Sequence, residues 1–362
     1  MNFQTFIEKN DLNTFEKFSQ KLSDTFIIKG DDNRIIFRLR NDAEQTSFNK
    51  EVDGCVVDIK NQKVICYNPY YERRELEFYK TSDEQKQDFE WNNIFVEELI
   101  DGTVIRLYYD GEWKIATLHT IDASNAYWYS SKSFKELFLE CSEHFIKFDK
   151  LNKERVYGFI IRHPENKIVT HYEQKDLVHI FTIDMNTFKE VDENLNIIKP
   201  RRLIFTNFNQ MFDSCMNLMF YLPGYLIHTK SDKIKYISPH YTYVKNLKGN
   251  HQSMNVRYLQ IRTQPNKVNE LLIYYPEFIN ILKNIETKFV QKVNEMLKKY
   301  IDIKINKKWY ELSKIEKKII YDLHAIYLQN YIPMTFQTVY NYLNSMPYYK
   351  VAELLDIPLK LN

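Results

Sequence analysis

Glycine is the scarcest informative residue in this chain, with seven among 362, about a quarter of what average usage near 7% would give. Each survivor is expected where a side chain does not fit, in a turn or at a close backbone approach. Cysteine is sparse too. Cys55, Cys66, Cys141 and Cys215 form no Cys-x-x-Cys pair and have no histidine set at zinc spacing, so zinc and other metals are not expected and the four read as buried thiols. No apolar run approaches the roughly 18 residues of a membrane-crossing helix, which argues against a membrane partner. The start, Met1 to Glu8, has neither a basic cap nor an apolar stretch, so no signal peptide is expected and the default address is the cytoplasm. A formal net charge of +2 is too small to hold nucleic acid by bulk charge, so any such contact has to come from local patches.

What is present is a β pattern followed by a helical one. Residues 1 to about 50 mix short amphipathic helix, with Phe6, Leu12, Phe15 and Phe18 on its apolar face, and a strand at Ile35–Leu39. From Cys55 to about Thr182, short alternating or apolar runs separated by polar turns read as strands: Cys55–Ile59, Lys63–Tyr67, a hairpin over 104–117, Val156–Ile161 and Lys167–Thr170. A helix from Ser133 to His144 interrupts them. A second β block is expected from Leu222 to about Arg262. Beyond it Val268, Leu271, Leu272, Tyr275, Ile279, Leu282, Phe289, Val293, Leu297 and Tyr300 recur at three- and four-residue steps, the period of helices. The fold class is therefore α+β followed by an all-helical C-terminal domain, with domains at 1–255 and 256–362. Eleven lysines face five acids in the window 281–320, a run that reads first as a solvated helix face and second as a nucleic-acid contact.

The segment Val96-Glu97-Glu98-Leu99-Ile100-Asp101-Gly102-Thr103 leads from an apolar strand into the hairpin Val104–Tyr109, Asp110-Gly111, Trp113–Thr117. Around it lie Val52-Asp53-Gly54-Cys55, then Val64 to Tyr71, Tyr157 to Val169 with its Pro164-Glu165-Asn166-Lys167-Ile168-Val169, Pro223-Gly224-Tyr225-Leu226-Ile227, and Lys235-Tyr236-Ile237-Ser238-Pro239-His240-Tyr241. In this order these segments resemble the motifs of covalent nucleotidyltransferases, specifically the RNA ligase family of T-even phages and large DNA viruses. Gly54, Gly102 and Gly224 fall on motif positions. The resemblance covers about residues 48–250, and the helical tail is similar to those of viral members. It implies an ATP-grasp-like adenylation domain of antiparallel sheets with flanking helices, and a viral source.

In that family a lysine amine attacks the α-phosphate, a carboxylate orients it, and further lysines hold the phosphates. Here Leu99 stands at the nucleophile of the Lys-x-Asp-Gly signature and Asp53 at the upstream arginine. Ile160 replaces the glutamate of the third motif and Pro223 that of the fourth. Ile237 stands at the second lysine of the Lys-x-Lys-x-x-x-Tyr motif. Asp101, Gly102, Lys235 and Tyr241 keep family-like types, and Asp101, Gly102 and Lys235 are read as the nucleotide-pocket remnant. The expectation is an inactive, RNA ligase-like protein with no catalytic residues and no cofactor, retained for binding RNA or a protein partner. One alternative is an active RNA ligase or capping-type nucleotidyltransferase using ATP and Mg2+, with Lys114 as displaced nucleophile. Another is a structural or assembly protein whose cleft is filled, in which Leu99, Ile160 and Ile237 pack as core. Candidate nucleic-acid contacts are Arg73, Arg74, Lys199, Arg201, Arg202 and Lys233. His119, His163 and His171 are assigned to structure.

Overall fold

The computed structural model describes residues 2–69, 72–86, 90–128, 130–230, 233–249 and 253–359. Tyr70 and Tyr71 of the motif resemblance lie outside the described residues. The chain divides into two compact units, Met1–Tyr243 and Val244–Asn362. This division lies N-terminal to the 255/256 boundary expected for the domains.

In the first unit, β1 (Phe26–Gly30), β2 (Arg34–Leu39), β3 (Val56–Asp58) and β4 (Lys63–Cys66) form an antiparallel sheet in sequence order. Helices Asn2–Lys9, Phe15–Leu22 and Ser47–Val52 pack on it through Phe3, Phe18 and Val52, with the Phe3 ring edge-on to Phe37 at 5.3 Å. Next come β5 (Glu72–Glu75) and β6 (Phe95–Glu98), then β7 (Thr103–Asp110), β8 (Glu112–Thr117), β9 (Arg155–Arg162), β10 (Asp176–Asp184) and β11 (Lys189–Glu190). The last three strands are β12 (Arg202–Leu203), β13 (Gly224–His228) and β14 (Lys233–Ile237). They complete two five-stranded sheets, β11-β10-β9-β7-β8 and β12-β6-β13-β14-β5.

Strand alternation assigns the faces. Ile105, Leu107, Tyr157, Phe159 and Ile161 meet helix Phe134–Ser142 through Leu137, Phe138 and Cys141. That helix starts at a capping box, Ser133 with Glu136, which satisfies two otherwise orphaned amides. On the other face Tyr108, Val156, Phe181 and Ile183 join the core of the N-terminal sheet. In the third sheet Val96, Ile227, Ile234 and Tyr236 pack on helix Phe208–Met216 through Phe208, Met211 and Cys215. All four cysteines are buried and free. Among the described residues the strand pairings are antiparallel except β14 with β5.

Two expected strands are corrected. Lys167–Thr170 is not a strand; its amides serve a side chain described below, and the partner of β9 is β10. The second β block ends at Ile237, because Ser238-Pro239 opens helix Pro239–Lys248, followed by Met254–Ile261. Proline at the first helical position loses no helix hydrogen bond. The second unit is helical, built on Ile279–Lys304, whose Leu282, Phe289, Val293 and Met296 are buried, with Lys314–Asn330, Phe336–Ser345 and Tyr348–Leu354. Among the described residues no helix is long and apolar enough to cross a membrane.

Candidate functional site

The motif segments converge on Asp101. Its buried carboxylate accepts the backbone amides of Val169 at 2.9 Å and Thr170 at 2.7 Å on one oxygen, and the Tyr241 hydroxyl at 2.7 Å on the other. The Tyr172 hydroxyl donates to the Asp101 carbonyl at 2.8 Å. Two segments far apart in sequence, at 169–170 and at 241, are thus tied to one side chain, which explains why Lys167–Thr170 forgoes a strand. Gly102 and Gly224 serve the same convergence. Gly102 has φ +145° and a Cβ there would lie 2.5 Å from the Ile161 carbonyl oxygen; at Gly224, φ +140°, it would lie 1.9 Å from that of Tyr236. Neither backbone position accepts a side chain.

Around these glycines stand the four positions at which the resemblance loses a charged group. The Leu99 amide donates to the Gly224 carbonyl at 2.9 Å. Pro223 precedes Gly224, Ile237 pairs with it in register, and the Ile160 side chain abuts Gly102. Ile160, Pro223 and Ile237 are buried and Leu99 half-buried. This end of the cleft is apolar, with no amine at the nucleophile position. Lys114 does not supply one. It pairs with Tyr108 near the tip of the β7–β8 hairpin, six residues along β7 from Gly102, or roughly 20 Å at 3.3 Å per residue, and its ammonium is bound to Glu112 at 2.6 Å.

Along β6 from this apolar end the face opens. Cross-strand neighbours share a face, so the registers of β6, β13 and β14 set three rows: Leu99, Gly224 and Ile237; Glu97, Leu226 and Lys235; Phe95, His228 and Lys233. The outer row borders a cavity of about 360 Å³ between the two five-stranded sheets, closed on the far side by β10 and β11. Phe95 and His228 stack there with ring centroids 4.1 Å apart, and the Arg202 guanidinium lies 4.3 Å over Phe95. Glu97 bonds the His228 Nε2 at 2.8 Å and faces Arg202 at 3.8 Å. Lys233 pairs with Glu190 and Lys199 with Asp192. His179, buried in the wall, bonds Thr182 through Nε2, and burial pushes its imidazole down to about 4, so it is neutral at pH 7.

The cavity gathers Lys199, Arg202 and Lys233 from the candidate contacts. It does not gather the others. Arg201 grips Glu98 with two nitrogens at 2.9 and 2.7 Å. Arg73 and Arg74 lie on β5 at the opposite edge of the sheet, bound to Glu75 and Glu72. Each candidate cation is thus engaged by a carboxylate, and the groove is open and charge-balanced. The rows also give the last motif a second reading, because Lys233 and Lys235 themselves keep the Lys-x-Lys spacing and share the cleft face. Sequence reasoning missed Phe95, Glu97, His179, Glu190 and His228. The available signal was the alternation Phe95-x-Glu97-x-Leu99, which puts the first two on the face of the nucleophile position.

Similar proteins include viral and phage sequences. The chain is 34% identical over 94 residues to an RNA ligase of Rhodothermus phage RM378, covering 23% of this chain and 21% of that protein. It is 26% identical over 255 residues to an immediate-early protein ICP-46 homolog of Invertebrate iridescent virus 3, covering 63% of this chain and 55% of that one. These relatives support an RNA ligase-family nucleotidyltransferase. The chain matches about a fifth and about half of their respective lengths. A solved archaeal ATP-dependent RNA ligase aligns at a TM-score of 0.47 and 14% identity, over 96% of this chain and 100% of that one. No protein-family model matches the sequence.

Proposed function

We propose that this RNA ligase-like chain is a pseudo-nucleotidyltransferase, retained for binding RNA or a protein partner, whose cleft admits a nucleotide without becoming covalently charged. The observation that carries the proposal is the contrast within one cleft. At the nucleophile end, Leu99, Ile160, Pro223 and Ile237 offer neither an amine to form a phosphoramidate nor a carboxylate to hold Mg2+. Two strand rows away, a stacked aromatic pair, an arginine and two lysines border an open cavity within the usual range for small-molecule sites, roughly 300–1,000 Å³. Replacing a charged set as a group also avoids leaving one member buried and unpaired.

The ATP implied by the resemblance fits this site in part. Lys233 and Lys235 would meet phosphates and the Phe95–His228 stack a base. The donor set for Mg2+ is missing from the apolar quartet, so no step is routed through the metal. RNA is the first partner to test, from the name of the phage relative. Burial of Ile160 and Ile237 matches the filled-cleft alternative at the nucleophile end, the open cavity two rows away counts against it for the rest of the cleft, and the remoteness of Lys114 counts against a displaced nucleophile.

Calorimetric titration of ATP and AMP into the full chain tests the cleft. Saturable binding independent of Mg2+, weakened at least tenfold by Phe95→Ala or Lys233→Glu, is expected. Absence of binding by the unaltered chain would leave the cleft without a ligand role.

A further inference from the structure

The helical unit carries a feature that the cleft does not explain. Trp309 is 85% exposed, although its neighbours on both sides are held down. Lys308 and Tyr310 both bind Asp302 at the end of helix Ile279–Lys304, the ammonium at 3.1 Å and the hydroxyl at 2.7 Å. The Asn306 amide joins them at 2.9 Å, and the Lys308 backbone amide donates to the Asp302 carbonyl at 2.9 Å. These donors keep the Asp302 carboxyl down at about 2. Lys307, the remaining residue of the bend, sits at φ +54°, a left-handed conformation uncommon for a side chain of this kind. The loop is therefore built, and what it builds is a tryptophan pointed into water.

Its surroundings are basic. Helix Lys314–Asn330 begins five residues later. Lys314, Lys317, Lys318, Tyr321 and Leu328 recur on it at three-, four- and seven-residue spacings, and all are exposed. The apolar face of the same helix, Ile315, Ile319, Ile320 and Leu323, is buried, so its outward direction is fixed. The acid of its first turn, Glu316, is engaged inward by Lys292 and Lys299 and does not neutralise the outer lysines. An exposed aromatic a few residues before a row of exposed ammonium groups is the kind of arrangement that binds single strands, since every base has a stacking face and every nucleotide a phosphate.

We infer that the Asp302-clasped loop and the outer face of helix Lys314–Asn330 form a platform for single-stranded nucleic acid, with a base stacked on Trp309 and adjacent phosphates on Lys314, Lys317 and Lys318. This deepens the RNA-binding half of the proposed function and rests on it, while assigning the contact to the helical unit.

The test is polarisation of a fluorescein-labelled, mixed-sequence 15-nucleotide RNA titrated with the full chain at several salt concentrations. Trp309→Ala is expected to weaken binding at least fivefold and Trp309→Phe less than threefold, because the phenyl ring restores stacking. Lys317→Glu with Lys318→Glu should flatten the log affinity against log salt slope by about 1.4, at roughly 0.7 per phosphate contact on a single strand. Arg202→Glu, in the cleft, reports the competing contact and should weaken binding less than Trp309→Ala does. All four changes are on exposed side chains, and each variant should melt within about 2 °C of the parent, by the small effect of surface substitutions. Unchanged binding by the Trp309 and lysine variants, with loss on Arg202→Glu, would overturn the platform and leave the RNA-binding reading standing. No salt-dependent binding by the unaltered chain would overturn both.

Discussion

Replacing Asp101 with alanine would leave three donors facing a void: the amides of Val169 and Thr170 and the hydroxyl of Tyr241. Each buried donor without a partner costs about 1–3 kcal/mol. Water entering the vacated space recovers part of this, so Asp101→Ala is expected to destabilise the sheet unit by about 4 kcal/mol. Tyr241→Phe removes one of the three bonds and should cost about 1.5 kcal/mol. The double variant should cost less than the two single costs together, because both disrupt one hydrogen bond. Urea unfolding followed by tryptophan emission reads this directly, since Trp91, Trp113 and Trp128 lie in that unit and Trp309 in the other. A loss below about 1 kcal/mol for Asp101→Ala, against the range for lost buried bonds, would refute the clasp. Additive single costs would refute it too.

Further outcomes follow from the same geometry. Gly224→Ala, which places a methyl on the Tyr236 carbonyl, should cost at least about 3 kcal/mol by overpacking and backbone strain. Gly111→Ala, at φ +72° with open space around the new Cβ, should cost only about 1 kcal/mol; equal melting shifts for the two would remove the steric explanation. The imidazole of His179 is near 4 when folded and near 6.5 when unfolded. The unfolded chain therefore binds the extra proton between those values, and stability present in full above pH 6.5 is lost as pH falls towards 4. Relative to His179→Phe, the parent should lose about 3 kcal/mol over that window, measured by denaturation midpoints at pH 7 and 4; parallel pH profiles would contradict it. Ser313→Ala breaks the capping box of helix Lys314–Asn330 and should cost about 1 kcal/mol, read by melting. Leu99→Lys alone should take no label from α-labelled ATP, because Ile160 and Pro223 still lack the carboxylates; labelling of that variant would show that the remaining residues suffice.

Local patterns reached far into this fold. Alternation around Asp110-Gly111 located the β7–β8 hairpin, the apolar residues after Ser133 located the helix between the strands, and the three- and four-residue apolar period located the long C-terminal helices. What stayed hidden depends on long-range pairing. Ile168-Val169-Thr170 has the β-branched composition of a strand, yet Asp101 recruits its amides and tertiary bonding outweighs propensity. The β block expected to run to Arg262 gives way at Ser238-Pro239 to helix. At the site, the lost nucleophile was legible as Leu99, because it lies inside one motif. The cavity was not, since its wall combines residues from β6, β10, β11, β13 and β14 whose adjacency is set by register. Lys233 and Lys235, both candidates from the sequence, share the cleft face by simple strand alternation.

The central claim is that nucleotide enters this cleft and does not become attached to it. Incubating the full chain with α-labelled ATP and Mg2+, then capturing protein under denaturing conditions, tests this most directly. No retained label is expected at nucleotide concentrations that saturate equilibrium binding. A stoichiometric adduct mapped to any lysine, Lys114 included, would contradict it.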